Sequence, residues 1–277
     1  MIAGDFGLRL VVSGQVLTLA DHLNGIDEVT GVAVNRDTVW VTGTAARPRD
    51  GVVVQRIDTN RAHSSPLPSR ADYSTGVVPY RSGVVVAAGS TTKQEAHLLW
   101  LSHRRAKRIG PLPSEIGMMA LTSAFAVGTT SGLEPDHVFS GRLADPSTGP
   151  RLPTEAGSGD VAANDDVFAI ALNLLDSAGA SEATEFYWSR DAGRTWGHSL
   201  VPGVTEVGSI TVTQSGDFFA FMTTNDGSTG VFRSTDGTHW RVVPAIELGE
   251  NSADLASAGN SVWVLTPGRV VRTAVSS

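Results

Sequence analysis

The chain has 277 residues, 41% hydrophobic and 18% charged, with 30 glycines, no cysteine and a formal net charge of −7. That balance is globular, and it excludes disulfides, thiolate metal sites and a cysteine nucleophile. With 21 Lys and Arg against 28 Asp and Glu, and one short basic run (His103 to Arg108) that reads as a solvated turn, it also argues against a nucleic-acid partner, whose affinity rests on clustered cations.

From the N-terminus, Met1 to Ala20 lacks a basic start and has polar residues inside its apolar stretch, so it reads neither as a signal peptide nor as a membrane span. An extracellular or cell-envelope setting would then imply a leader already removed, and this setting is the expectation. Gln15 to Ala20 reads as a strand, while Leu8 to Ser13 has no assigned place. Beyond them an apolar strand recurs six times: Val39 to Gly43, Val84 to Gly89, Phe125 to Thr129, Val167 to Ala171, Phe218 to Thr223 and Ser261 to Thr266. An aliphatic residue followed by proline comes after five of them, at Leu67-Pro68, Leu112-Pro113, Leu152-Pro153, Val201-Pro202 and Val243-Pro244. These pairs are 40 to 49 residues apart. Proline cannot donate to a ladder, so each pair marks the end of an outer strand.

A period of this length is that of a four-stranded propeller blade. Each repeat reads as an inner strand such as Gly31 to Asn35, the apolar strand, a third such as Gly51 to Asp58, and an outer one. The predicted fold is all-β, a six-bladed β-propeller with four-stranded antiparallel blades over residues 1–277 as one domain. Seven blades is the less favoured count, and a parallel β-helix is disfavoured by the length of the repeat. Gly268 to Thr273 matches Gly230 to Thr235 and reads as a third strand. The last blade therefore lacks a fourth, and Gln15 to Ala20 is predicted to close it.

Two turns carry a sharper pattern. Ser189-Arg-Asp191-Ala-Gly193-Arg-Thr-Trp196 is a full S-x-D-x-G-x-x-W sequence, and Ser234-Thr-Asp236-Gly237-Thr-His-Trp240 is shorter by one residue. Asp accepts N–H groups within its own turn, Gly takes a backbone conformation other residues avoid, and Trp buries itself against the hairpin. Both lie between the third and outer strands of consecutive blades, and in this the chain resembles the Asp-box (BNR-repeat) sialidase-like propellers. The resemblance implies a structural role for Ser189, Asp191, Gly193, Trp196, Ser234, Asp236, Gly237 and Trp240, on the rim away from the ligand face. Loss of Asp191 is expected to cost stability rather than activity.

In a propeller, ligands bind at one end of the channel, where crossovers into the inner strands meet the loops between second and third strands. Each predicted crossover carries an acid: Glu28, Asp72 (beside Tyr73), Glu115, Asp160, Glu206 and Asp254. As solvated loop acids they would need no further explanation. As a ring, they would attract an amine, a cationic peptide or a metal ion. A hard cation such as Ca²⁺ suits carboxylates without thiolates, with Glu28, Glu115 and Glu206 as its candidate ligands. The loops between second and third strands would add Arg47, Lys93, His97, His137 and Glu182, with Asp176 to Glu185 as a flexible lip.

A sialidase needs three arginines on the substrate carboxylate, a Tyr-Glu pair, an acidic Asp and an N-terminal Phe/Tyr-Arg-Ile-Pro sequence. That tetrapeptide is absent, only Tyr73, Tyr80 and Tyr187 exist, and the crossovers carry acids, so ordinary sialidase activity is not expected. Glu28, Glu115, Glu206, Asn164 and Asn225 could imitate the metal set of calcium-dependent lactonase propellers, though no motif fixes the match. Gly-x-Ser-x-Gly, His-Glu-x-x-His and phosphate-loop sequences are missing. Trp40, Trp100, Trp188 and Trp263 lie in predicted strands and read as core. The expectation is a monomeric, non-catalytic binding propeller for a small molecule, glycan or protein segment. The alternative is a carbohydrate-active or metal-dependent hydrolase using carboxylates of the same mouth, by the two-carboxylate chemistry of glycoside hydrolysis.

Overall fold

The structure is a computed structural model that describes residues 9–12, 15–18, 23, 26–35, 38–45, 51–58, 61–67, 71–90, 92–93, 95–102, 105–113, 116–130, 137–153, 156–244, 253–266 and 269–274. These form 25 strands, and no helix among them is long and apolar enough to cross a membrane. By its contacts the chain divides into two compact units. The first runs to Ile116 and adds the turns Leu121–Ala124 and Arg142–Pro146, and the second holds the remainder.

In the first unit, β1 (Arg9–Val12) and β2 (Gln15–Thr18) form an antiparallel hairpin. Two four-stranded sheets follow. One comprises β3 (Ile26–Asn35), β4 (Thr38–Ala45), β5 (Val52–Asp58) and β6 (Arg61–Pro66), and the other β7 (Tyr73–Tyr80), β8 (Gly83–Ser90), β9 (Glu95–Leu101) and β10 (Ala106–Leu112). Each sheet is ordered as in the chain, because consecutive strands joined by short turns pair antiparallel. The second strands are runs of Val and Ala with almost no alternation, and β8 is buried along its whole length. Burial on both faces requires that pattern. One face is explained by the neighbouring sheet: Trp40, Val52 and Val54 pack with Val84, Val86, Leu99 and Leu101 in one core.

In the second unit, the third sheet has β11 (Ile116–Leu121), β12 (Phe125–Thr130), β13 (His137–Arg142) and β14 (Asp145–Arg151), apart from the two turns named above. The fourth has β15 (Ala156–Asn164), β16 (Val167–Leu175), β17 (Ser181–Ser189) and β18 (Gly197–Leu200). The fifth has β19 (Val204–Val212), β20 (Phe218–Thr224), β21 (Thr229–Ser234) and β22 (Arg241–Val242). The sixth has only β23 (Asp254–Ala258), β24 (Ser261–Thr266) and β25 (Arg269–Ala274). Strand β20 shows how the stack is held: Phe218, Ala220 and Met222 face the fourth sheet, with Ala171 and Phe186. Phe219 and Phe221 face the sixth, with Val262 and Val264. Burying an apolar side chain of this size contributes about 1.5–3 kcal/mol, so the sheets hold one another although none would persist alone.

The six apolar runs are all second strands, and Leu67, Leu112, Leu152 and Val201 of the proline-marked exits are buried. Leu67, Val201 and Val243 each donate their backbone N–H to a carbonyl beside or within the third strand: that of Val52, Thr184 and Val231. Three readings shift. The inner strands begin earlier than expected, at Ile26 rather than Gly31 in the first sheet, so several supposed crossover acids stand on strands. The expected lip is a short turn: the Asp176 carboxylate accepts the N–H groups of Ala178 and Ala180, and β17 resumes at Ser181. Finally, Gln15–Thr18, expected as the fourth strand of the last sheet, pairs with Arg9–Val12, the stretch that had no assigned place. Two apolar runs separated by Ser13-Gly14 are themselves a hairpin sequence. Among the described residues the last sheet has three strands.

Candidate functional site

Four inner strands share one device. Register shifts occur in β3 before Glu28 and Gly31, in β7 before Gly76, in β15 before Gly159, and in β19 before Glu206 and Ser209. A bulge bends the strand and frees backbone groups from the ladder. In the second unit, backbone groups near these bulges and on the adjoining inner strand are taken by side chains. Asp160 accepts from the N–H of Val161 at 2.8 Å and, across to β19, from that of Ile210 at 2.7 Å. Ser209 donates to Asp160 and accepts from the N–H of Leu255 on β23 at 3.1 Å. Asn173, buried within β16, acts as a peptide group would: its amide donates to the Val207 carbonyl at 3.1 Å and accepts from the Val207 N–H at 2.7 Å.

Asp160 is therefore a strut between strands, with both oxygens engaged. Burial pushes its carboxyl above the ordinary 3.8, against the pull of the Ile210 and Val161 N–H groups, and the nearby charge of Asp254 adds to the rise. Asp254, the first residue of β23, is exposed one position before Leu255, so its carboxylate faces solvent beside this strut. Glu206 is also exposed, three residues before Ser209 on β19. In this unit the expected acids thus separate into one structural residue, Asp160, and two available ones, Glu206 and Asp254.

In the first unit, Thr30 and Ser74 share a hydrogen bond between β3 and β7, where both strands bulge. Asp72 is exposed immediately before β7 and accepts from the buried Ser90 hydroxyl at 3.4 Å, while Ser90 also meets Thr92 at 3.0 Å. The entry to an inner strand and the turn between second and third strands are therefore side by side. The fifth sheet repeats this, with the Asn225 N–H donating to the Gly203 carbonyl. Tyr73 occupies the space its cross-strand partner Gly89 leaves, since a Cβ there would lie 2.3 Å from the Tyr73 hydroxyl. On β9, His97 Nε2 lies 3.2 Å from Glu95, and its Nδ1 is buried with no hydrogen-bond partner.

Of the residues proposed for a cation, Glu115 and the side chain of Glu28 lie outside the described residues, as do Arg47 and the loop before His137. Among the described residues no group of three His, Asp or Glu is placed to hold a metal ion. Glu182 is exposed on β17, and Lys93 is exposed in the turn after Ser90.

The two Ser-x-Asp turns are built as their sequences require. Ser189 Oγ receives the Gly193 N–H at 2.8 Å, and Asp191 receives the Thr195 N–H at 2.9 Å and hydroxyl at 2.7 Å. Thr195 in this way holds the Asp191 carboxyl down at about 2. Asp236 takes the N–H groups of Thr238 and His239 and the His239 ring, which lowers its carboxyl in the same direction. Each turn also docks on the sheet before it. Trp240 meets Phe186 edge-on with ring centroids 4.8 Å apart, Ser199 donates to the Gly237 carbonyl, and Gly193 sits against Ser140.

Tyr187 escaped the sequence reading. On β17 its hydroxyl donates to Glu185 at 2.6 Å and its ring stacks on His198. Burial, then the Glu185 contact, pushes the phenol well above its ordinary value of 10.0, so it serves as a hydrogen-bond donor. Asn173 had a signal: it is a polar residue inside the apolar run Val167 to Leu175. Tyr187 had a weak one, since Glu185 stands two residues away on the same face of the strand, whereas His198 is brought opposite it only by strand register.

No protein-family model matches the chain, and no curated protein matches it either. Among solved structures it is similar to the propeller domain of the trilobed protease from Pyrococcus furiosus, with an open velcro topology. The identity is 9%, 91% of this chain and 86% of that one are covered, and the TM-score is 0.55. The fold is a six-bladed β-propeller. TolB from Acinetobacter baumannii is also similar, at 12% identity and a TM-score of 0.49, over 93% of this chain. The chain spans 63% of TolB, under two thirds of its length. The sheets are accordingly blades, and of the candidate acids Glu28, Asp160, Glu206 and Asp254 stand on inner strands.

Proposed function

We propose that this propeller is a non-catalytic binding protein that receives a cationic group, the amine of a small molecule or a basic side chain of a protein segment, where its inner strands begin. The observation that supports this reading is that Glu206 and Asp254, on the adjacent inner strands β19 and β23, are both exposed near the starts of those strands. In the same strands Asp160, Ser209 and Asn173 tie β15, β16, β19 and β23 together. Carboxylates on an ordered backbone bind a cation without first having to be ordered, which favours affinity. Asp72, at the start of β7, carries the same chemistry in the first unit.

Titration calorimetry with spermidine, CaCl2 and neutral oligosaccharides tests it. Spermidine is expected to bind, and Glu206→Gln combined with Asp254→Asn is expected to weaken it at least about tenfold, in line with two charge-assisted hydrogen bonds. Unchanged spermidine affinity in the double variant would reject the site. Hydrolysis of an oligosaccharide that a single Gln substitution abolishes would replace binding by catalysis.

A further inference from the structure

Charge is distributed unevenly along the chain. From Tyr73 to Ser114 the one acid is Glu95, against Arg81, Lys93, Arg104, Arg105, Lys107 and Arg108. This stretch is the second blade, β7 to β10, and six cations against one acid give it a formal charge of +5 within a chain of −7. The remainder is therefore more acidic than the total indicates. An excess of one sign on a single blade attracts the opposite sign locally, whatever the net charge of the molecule.

The cations gather at one end of that blade. Its β9–β10 turn, closed by the Ser102 N–H donating to the Arg105 carbonyl at 2.8 Å, lies between third and outer strands, as the Ser-x-Asp turns do in the fourth and fifth blades. The β7–β8 turn is at the same end, since a Cβ on Gly83 would lie 3.1 Å from the Ser102 Cα. Asn35 of the first blade holds this second turn by donating to the carbonyls of Arg81 and Gly83, and the Arg81 guanidinium lies over the Tyr80 ring at 5.1 Å. Glu95 begins β9 at the other end. Arg81 is exposed, and so are Arg105, Ala106, Lys107 and Arg108 in succession. Successive strand residues point to opposite faces, so both faces of this end of β10 are in solvent. Among the described residues none of the four cations forms an ion pair.

We propose that this end of the second blade, with Arg81, Arg105, Lys107 and Arg108, binds a short acidic segment of another protein. Its size selects the partner. Arg105 to Arg108 spans about 10 Å of strand, close to one Debye length in physiological salt. A few carboxylates on a short segment would feel these cations alone, and each arginine can hold a carboxylate bidentately. A long nucleic acid or an anionic membrane would extend beyond them onto a molecule whose remaining charge is negative, and would be repelled there. A membrane would also gain from an inserted apolar side chain, whereas the exposed large apolar residues among those described are Leu200, Val242, Trp263 and Val270, none on this blade.

Fluorescence anisotropy on the full chain tests the inference, with a labelled peptide acetyl-Gly-Glu-Glu-Ser-Glu-Glu-Gly competed by its unlabelled form, by a thymidine oligonucleotide and by phosphatidylserine vesicles. The acidic peptide is expected to bind, and to weaken as NaCl is raised from about 0.05 to about 0.3 M. Combining Arg105→Gln, Lys107→Gln and Arg108→Gln is expected to weaken it at least about tenfold. Combining Arg105→Glu, Lys107→Glu and Arg108→Glu is expected to create binding of the counterpart peptide with Lys for Glu, a gain that misfolding could not produce. No binding of the acidic peptide at low salt, or affinity that both triple variants leave unchanged, overturns the proposal. Tighter binding of the oligonucleotide or the vesicles, lost in the Gln variant, overturns it in favour of that partner. Self-association in sedimentation at low salt, lost in the same variant, overturns it in favour of a second copy.

Discussion

Asp191 and Asp160 shape the acid response of the second unit in opposite directions. The Asp191 carboxyl is lowered from 3.8 to about 2, so its contribution to stability is present above pH 3.8 and is lost as the pH falls through about 2. Asp160 is raised above 3.8, so folding favours its protonated form, an advantage complete below 3.8 and lost as the pH rises through the raised value. Asp191→Asn is expected to flatten the loss of thermal stability between about pH 4 and pH 2. At pH 7 the heavier residues are the buried struts. Asn173→Ala leaves the Val207 N–H and carbonyl without a partner, and an unsatisfied buried group costs about 1–3 kcal/mol. Urea midpoints of Asn173→Ala and Asp160→Ala should both fall, whereas Glu206→Gln should leave the midpoint unchanged.

The rim turns act as joints between blades rather than as closed hairpin ends. The Trp240 ring contributes to the core around Phe186, and Trp240→Ala is expected to cost about 2–4 kcal/mol, somewhat below a fully buried tryptophan, read as a shift in the urea midpoint. Gly237 has φ +85, and a Cβ there would lie 2.5 Å from the Trp188 ring, so Gly237→Ala is expected to destabilise as well. The internal bonds of these turns were legible because every partner falls within seven residues of the first Ser. Their docking was not, since Phe186, Trp188 and Ser140 are distant in the chain and are brought near only by the stacking of blades. The same limit explains the misread lip, where one carboxylate, Asp176, closes a stretch whose Ser, Ala and Gly content suggests a long loop.

Across the molecule, the blade count was written in the six apolar runs and the proline exits, because burial on both faces forces unbroken hydrophobic sequence and an outer strand tolerates proline. The acids were found, but not their division of labour. Whether a carboxylate binds a ligand or a neighbour's backbone depends on bulges, and although Gly31, Gly76, Gly159 and Gly208 mark where these fall, nothing in the sequence says which neighbouring side chain will meet the bulged strand. Hydrogen exchange should rank the strands by the same physics, with β8, β16 and β20 slowest and β22 and β25 fastest. The rim turns also give the stack a direction. Gly237 and Trp240 reach back to β17, and Gly193 reaches back to β13, so each turn closes on a surface that precedes it in the chain. During synthesis every such surface has already left the ribosome when its partner emerges, and the fourth and fifth blades can be joined in order without waiting for any later segment. A circular permutant opened at Asn225–Ser228 would place Gly237 and Trp240 before β17 in the chain and so reverse the order of that one joint, at the expense of the Thr224–Ser228 turn.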